Sequence, residues 1–72
     1  VHTAEKIAER IRKSIENLDI LYDSQHLRLT ISIGVAEFNH TVDQTAKNLV
    51  DRADKALYTS KQTGRNKVSV AE

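Results

Sequence analysis

The sequence predicts a mixed α/β domain whose elements follow in the order helix, strand, helix, strand. Three patterns of apolar residues support this fold class. They recur with helical spacing from Ile7 to Leu18, alternate from Leu27 to Val35, and form a second helical stripe from Ala46 to Leu57. A short apolar segment near the end, Lys67–Val70, predicts the second strand.

The first helix is predicted to begin at Thr3, whose hydroxyl can cap it, and to fade near Asn17. Glu5 lies in the first turn, where the helix dipole favours an acidic side chain. Residues 19–26 are then predicted to form a loop that carries one apolar patch, Ile20–Tyr22.

The strand predicted over Leu27–Phe38 has two different faces. Alternate positions place large apolar residues on one face and mainly small residues, including Gly34, on the other. Small side chains let a helix or another backbone approach closely, and glycine within a strand often marks such an approach.

The second helix is predicted over residues 42–63, with Thr41 as its cap and Gly64 as the left-handed residue that ends it. Lys61 lies in the final turn and Arg65 follows the glycine. Two cations at a helix end can converge on one anion. A lysine that only interacts with the helix dipole, beside a solvated arginine, would give the same spacing, so the pattern alone leaves both interpretations open.

The composition excludes several function classes. Eleven Lys and Arg against ten Asp and Glu give a net charge of +1, too balanced for a nonspecific nucleic-acid surface. Three aromatic residues are too few for a base-stacking platform. Cysteine is absent, the three histidines lack metal-site spacing, and no apolar run approaches the ~20 residues that span a bilayer. We therefore expect no nucleic-acid partner, no metal ligand and no membrane contact from these residues.

Two strands are too few for a stable sheet, and the long apolar strand would expose a pairing edge. We therefore expect further strands from the rest of a longer domain, from a second copy or from a partner. The predicted core takes apolar residues from all four elements. They are Ile7, Ile11, Ile15, Leu29, Ile31, Ile33, Leu49, Val50, Ala53, Leu57 and Val68.

Three segments of the chain resemble GGDEF domains, the diguanylate cyclase family. Residues 8–12, Ala-Glu-Arg-Ile-Arg, resemble the helix that follows the family's signature hairpin, and residues 29–36 resemble its TxSiGvA strand. Residues 53–66 resemble its ADxALYxAKxxGRN motif, with Ser60 where alanine is usual. The resemblance implies an α+β sandwich of the nucleotidyl-cyclase, ferredoxin-like palm type, in which residues 1–72 form the C-terminal part of the domain.

GGDEF domains join two GTP molecules into cyclic di-GMP, a bacterial second messenger, within a head-to-head dimer. The resemblance implies that Lys61 and Arg65 bind the GTP triphosphate. It also implies Mg²⁺ or Mn²⁺ as the cofactor, held by an early aspartate and by the GG[DE]EF hairpin. Those ligands and the guanine-recognition residues would precede Val1, so we expect no catalytic residue here and no activity from this chain alone.

The same resemblance implies a second possible role, for Arg10. In many family members an arginine on this helix helps to bind cyclic di-GMP and so inhibits the enzyme. The Arg-x-x-Asp motif that completes the inhibitory site would lie upstream, and anion capture normally needs several converging donors. We therefore favour a solvated helix arginine at position 10.

Two other functions stay open at this point. A degenerate, non-catalytic GGDEF module would regulate a neighbouring domain or a partner, and the upstream hairpin sequence would distinguish it. A free-standing interaction module would instead complete its sheet by dimerisation. For the parent protein we expect a cytoplasmic location, with or without a membrane anchor.

Overall fold

The computed structural model describes residues 2–71, which form two helices and four short strands. The strands pair into two separate two-stranded sheets. In chain order they are α1 (His2–Glu16), β1 (Ile20–Tyr22), β2 (Gln25–Leu27), β3 (Ile33–Val35), α2 (Ala46–Gln62) and β4 (Val68–Val70). β1 pairs antiparallel with β2, and β3 pairs parallel with β4. The predicted α/β fold class is confirmed, with a β-hairpin added after the first helix.

The prediction of a loop over residues 19–26 is wrong, because most of these residues form a tight β-hairpin. Tyr22 lies opposite Gln25, so Asp23 and Ser24 alone connect the two strands. Both connecting residues have positive φ, 53° and 66°, as the mirror-image turns of two-residue hairpins require. The sequence lacks the glycine that usually signals such a turn, and the prediction missed it for that reason.

The long strand predicted over Leu27–Phe38 is also wrong in its extent. Leu27 belongs to β2, and the second sheet contains only Ile33–Val35 from this segment. Within residues 2–71, β3 pairs only with the three residues of β4, so its ladder is short. Strand length is set by the pairing partner as well as by the alternation of apolar residues.

The predicted helix starts differ from those in the structure. α2 begins after Thr45, whose extended backbone (φ −141°) and side-chain oxygen, 3.3 Å from the Asn48 amide nitrogen, form the N-cap. Thr41 instead belongs to a preceding turn, in which its amide donates to the Asn39 side chain at 2.9 Å. α1 already contains Thr3, so Thr3 is not its cap.

α2 packs against the face of small residues on β3, as the sequence predicted for a helix or backbone. A Cβ atom on Gly34 would lie 2.3 Å from the carbonyl oxygen of Ala53 and 2.4 Å from the amide nitrogen of Leu57. Both distances are far below van der Waals contact, so the helix backbone occupies the space that any side chain at position 34 would need.

The buried core is smaller than the sequence predicted. Within the described range, Ala8 and Ala56 are the buried apolar residues. The Cα radius of gyration is 14.7 Å, against about 11 Å for a compact domain of this length. A two-stranded sheet cannot cover the apolar faces of both helices, and part of the predicted core stays between 47% and 54% exposed. The exposed members are Ile7, Ile11, Leu29 and Val50; the other predicted core residues are half-buried.

Candidate functional site

The candidate site lies where α2 ends and the chain turns into β4. Thr63 caps the helix, and its amide donates to the Thr59 carbonyl at 3.0 Å. The Arg65 amide donates to the Ser60 carbonyl at 2.8 Å, across Gly64 with φ 121°. This six-residue closure is the Schellman arrangement, so the predicted glycine ending of the helix is confirmed.

The left-handed backbone continues beyond the glycine. Arg65 has φ 60° and Asn66 has φ 49°. Asparagine tolerates this region well, but an arginine in it is uncommon and carries a conformational cost. The surrounding contacts must therefore hold Arg65 in place.

Asn66 makes the contacts that fix this turn to the rest of the molecule. Its amide nitrogen donates to the Ser32 hydroxyl at 3.2 Å, just before β3. Its side-chain oxygen accepts from Nη1 of Arg12 at 2.9 Å, and its side-chain nitrogen donates to the Glu16 carboxylate. A single residue thus joins the end of α2 to α1 and to the start of β3.

Ser60 anchors the last turn of α2 from inside the fold. Its side chain is completely buried, and its hydroxyl donates to the Ile33 carbonyl at 3.2 Å and bonds the Ser69 hydroxyl at 2.6 Å. The departure from the alanine usual in the resembling motif is therefore matched by a hydroxyl partner on β4.

Lys61 and Arg65 are both exposed at this turn. Within the described part of the chain, neither side chain makes a hydrogen bond or an ion pair. Lys67, which the sequence analysis did not single out, instead donates from Nζ to the Thr63 carbonyl at the helix end. The interaction of a cation with the terminal carbonyls is thus made by Lys67, and Lys61 and Arg65 are available to an external anion.

Arg10 lies elsewhere, on the exposed face of α1. Together with Ile7, Ile11, Ser14 and Ile15 it lines a shallow, open depression. Among the described residues α1 contacts β3 and β4 but not α2, whose end carries Lys61.

A buried ion pair that the sequence analysis missed holds the segment before α2. The Asp43 side chain is fully buried and accepts from the Asn39 amide at 2.9 Å and from the Arg52 guanidinium. Arg52 also donates to the Glu37 carbonyl at 3.1 Å. Nine positions separate the two charged residues, which is no helical or strand period, so no local pattern could have predicted the pair.

Carboxylates and histidines do not cluster in the described residues. Across residues 2–71, no three His, Asp or Glu side chains are grouped so that they could hold a metal ion. This part of the chain therefore does not fit a Mg²⁺ or Mn²⁺ site. Neither of the helices described is long and apolar enough to cross a bilayer.

Comparison with known proteins relates this chain to an enzyme family. The family model for the diguanylate cyclase GGDEF domain matches residues 1–67. Diguanylate cyclase A of Treponema denticola is 53% identical over 66 residues, which are 92% of this chain and 18% of that protein. Diguanylate cyclase DgcM of Escherichia coli K12 is 42% identical over 69 residues, 96% of this chain and 16% of that protein.

An uncharacterized protein of Bacillus subtilis, YhcK, is 40% identical over 70 residues, covering 96% of this chain and 19% of that protein. The chain thus spans less than a fifth of the length of each of these relatives. The resemblance drawn from the sequence motifs is confirmed, and this chain belongs to the GGDEF family of diguanylate cyclase domains.

Proposed function

We propose that residues 1–72 are the C-terminal part of a diguanylate cyclase domain that joins two GTP molecules into cyclic di-GMP. In this proposal Lys61 and Arg65 bind the GTP triphosphate. The observation that carries it is the pair of exposed cations on either side of Gly64, without partners in residues 2–71, on a turn fixed at its backbone.

The chemistry suits a polyphosphate. An ammonium and a guanidinium are charge-assisted donors, and they form short, strong hydrogen bonds to phosphate oxygens. Because the turn is held before the ligand arrives, little reorganisation accompanies binding. Neutralising the terminal phosphates also stabilises the pyrophosphate that leaves when the α-phosphate is attacked.

In this proposal, residues outside the described part of the chain carry out the other parts of the reaction. The metal ligands, the guanine-recognition residues and the attacking 3′-hydroxyl would come from the preceding part of the domain and from a second domain with its own GTP. We accordingly expect the 72-residue chain by itself to be inactive. Arg10 has only apolar side chains and one hydroxyl around its depression, so we keep it as a solvated arginine.

Turnover in the full-length protein tests the proposal. We expect Lys61→Ala or Arg65→Ala to lower the specificity constant for GTP about ten-fold, the scale of one charged hydrogen bond. Lys47→Ala is the matched control, because Lys47 is an exposed α2 lysine at the opposite end of the helix. Unchanged kinetics in both site variants would overturn the phosphate role. Binding of GTP without turnover by the unaltered protein would instead identify a non-catalytic, regulatory module.

A further inference from the structure

We infer that Asn66 is a positioning residue for Arg65, and that α1 holds the phosphate-binding turn through Arg12 and Glu16. This inference rests on the proposed function, because it assigns a task to the neighbours of a proposed phosphate ligand. In this inference Asn66, Arg12 and Glu16 act on Arg65 through contacts within the chain.

The backbone makes such positioning necessary. Gly64, Arg65 and Asn66 all have positive φ, at 121°, 60° and 49°. Arginine has no local interaction that favours the left-handed region, so Arg65 returns to ordinary backbone geometry unless its neighbours prevent it. On its N-terminal side, the Arg65 amide is fixed by the Ser60 carbonyl at 2.8 Å. On its C-terminal side, the fixed point is Asn66.

Asn66 is fixed by three residues in two parts of the chain, Ser32 before β3 and Arg12 and Glu16 on α1. The main-chain bond to Ser32 sets its position beside β3, at 3.2 Å. The side-chain bonds to Arg12 and Glu16 use the oxygen and the nitrogen of the amide separately. This donor-and-acceptor pattern is specific to an amide, since a carboxylate in its place would face the Glu16 carboxylate.

Arg12 is itself held and is not a further phosphate ligand. Its guanidinium bonds the Glu9 carboxylate, lies 3.7 Å from Glu16 and donates to Asn66, and its side chain is only 12% exposed. The hydrogen bond from Arg12 lowers the pKa of Glu9. With two carboxylates and one amide around it, the Arg12 charge is compensated within the fold, and its role is to orient Asn66.

Equilibrium binding of GTP to the full-length protein tests the inference through a double-mutant cycle. Asn66→Gly keeps the left-handed backbone available and removes the side-chain bonds. We expect it to weaken GTP binding about five-fold, the scale of one ordinary hydrogen bond. In the Arg65→Ala background the same change should have no further effect, because there is no guanidinium left to position.

A conservative series separates positioning from general stability. Asn66→Asp should weaken GTP binding, because two carboxylates then face each other, and adding Glu16→Gln should restore it, since glutamine can donate to the aspartate. Failure of Glu16→Gln to restore binding would contradict the inference, and this arm does not depend on how well the glycine variant folds.

The possible failures are distinguishable. If Asn66→Gly weakens GTP binding equally with and without Arg65, Asn66 acts on the fold alone and the inference is wrong. If Asn66→Gly has no effect while Arg65→Ala weakens binding, the inference is wrong and the proposed function stands. If Arg65→Ala itself leaves GTP binding unchanged, the proposed function fails.

Discussion

Gly34 packs directly against the backbone of Leu57: a Cβ atom on the glycine would lie 2.4 Å from the Leu57 amide nitrogen. This contact sets the distance between α2 and β3. The proposed phosphate ligands Lys61 and Arg65 lie in the last turn of α2 and just beyond it. The position of the candidate site therefore depends on a residue that has no side chain.

Gly34→Ala should destabilise the fold strongly, by about 3 kcal/mol, because overpacking against a backbone cannot be relieved by a rotamer change. Denaturant unfolding measures the effect. Thr30→Ala, at an exposed position before β3 that lies in no strand, should change stability by less than about 0.5 kcal/mol. Since the obstructing atoms are main-chain atoms, Leu57→Ala should fail to rescue Gly34→Ala, and a rescue would show that a side chain causes the conflict.

Ser60 and Ser69 should behave as a coupled pair, because their hydroxyl oxygens are 2.6 Å apart and Ser60 is completely buried. Ser60→Ala leaves the Ser69 hydroxyl without this partner, and we expect a loss of about 1–2 kcal/mol. The double variant with Ser69→Ala should lose less than the sum of the two single changes. Strict additivity in the denaturant midpoints would contradict the coupling.

The Asp43–Arg52 pair should stabilise the fold through its buried hydrogen-bonded contact and not through long-range charge interactions. Because the Asp43 side chain is fully buried, Asp43→Ala removes the carboxylate that accepts from the largely buried Arg52 guanidinium, and we expect a loss of about 3 kcal/mol that added salt changes little. The matched control is the exposed Lys47–Asp51 pair, with side chains 81% and 56% exposed. Lys47→Ala should change stability only slightly, and this small effect should vanish in high salt. A strong salt dependence for Asp43→Ala would contradict the account.

Acid should weaken the Glu9–Arg12 contact. The hydrogen bond from Arg12 holds the pKa of Glu9 below its ordinary value of 4.5. A carboxylate with a lowered pKa in the folded state stabilises the fold above its unfolded pKa, and this contribution is lost as the pH falls through the folded value. We therefore expect Glu9→Gln to reduce stability at neutral pH but to match the unaltered protein in strong acid. Parallel stability curves across the acid range would show that the contact contributes nothing.

The sequence predicts the parts of this molecule that depend on local periodicity. Both helices follow from their apolar spacing, and the glycine ending of α2 follows from Gly64. The approach of a helix to the small face of β3 was also predictable, because Gly34 interrupts a strand of large apolar residues.

Contacts between distant residues could not be predicted from the sequence. Asn66 lies 54 positions from its partner Arg12, and no spacing rule connects them. The hairpin at Asp23 and Ser24 was missed because neither residue is the glycine that usually marks such a turn. The predicted core was too large, because residues such as Ile7 and Val50 face a surface that two strands cannot cover.

The most direct measurement of the central claim is the binding of GMP, GDP and GTP to the full-length protein and to its Lys61→Ala and Arg65→Ala variants. If the two cations bind the terminal phosphates, both variants should bind GTP about ten-fold more weakly while their affinity for GMP is unchanged. Lys47→Ala should leave all three affinities unaltered. An equal loss of affinity for GMP and GTP, or no loss for either, would contradict the assignment of Lys61 and Arg65 to the triphosphate.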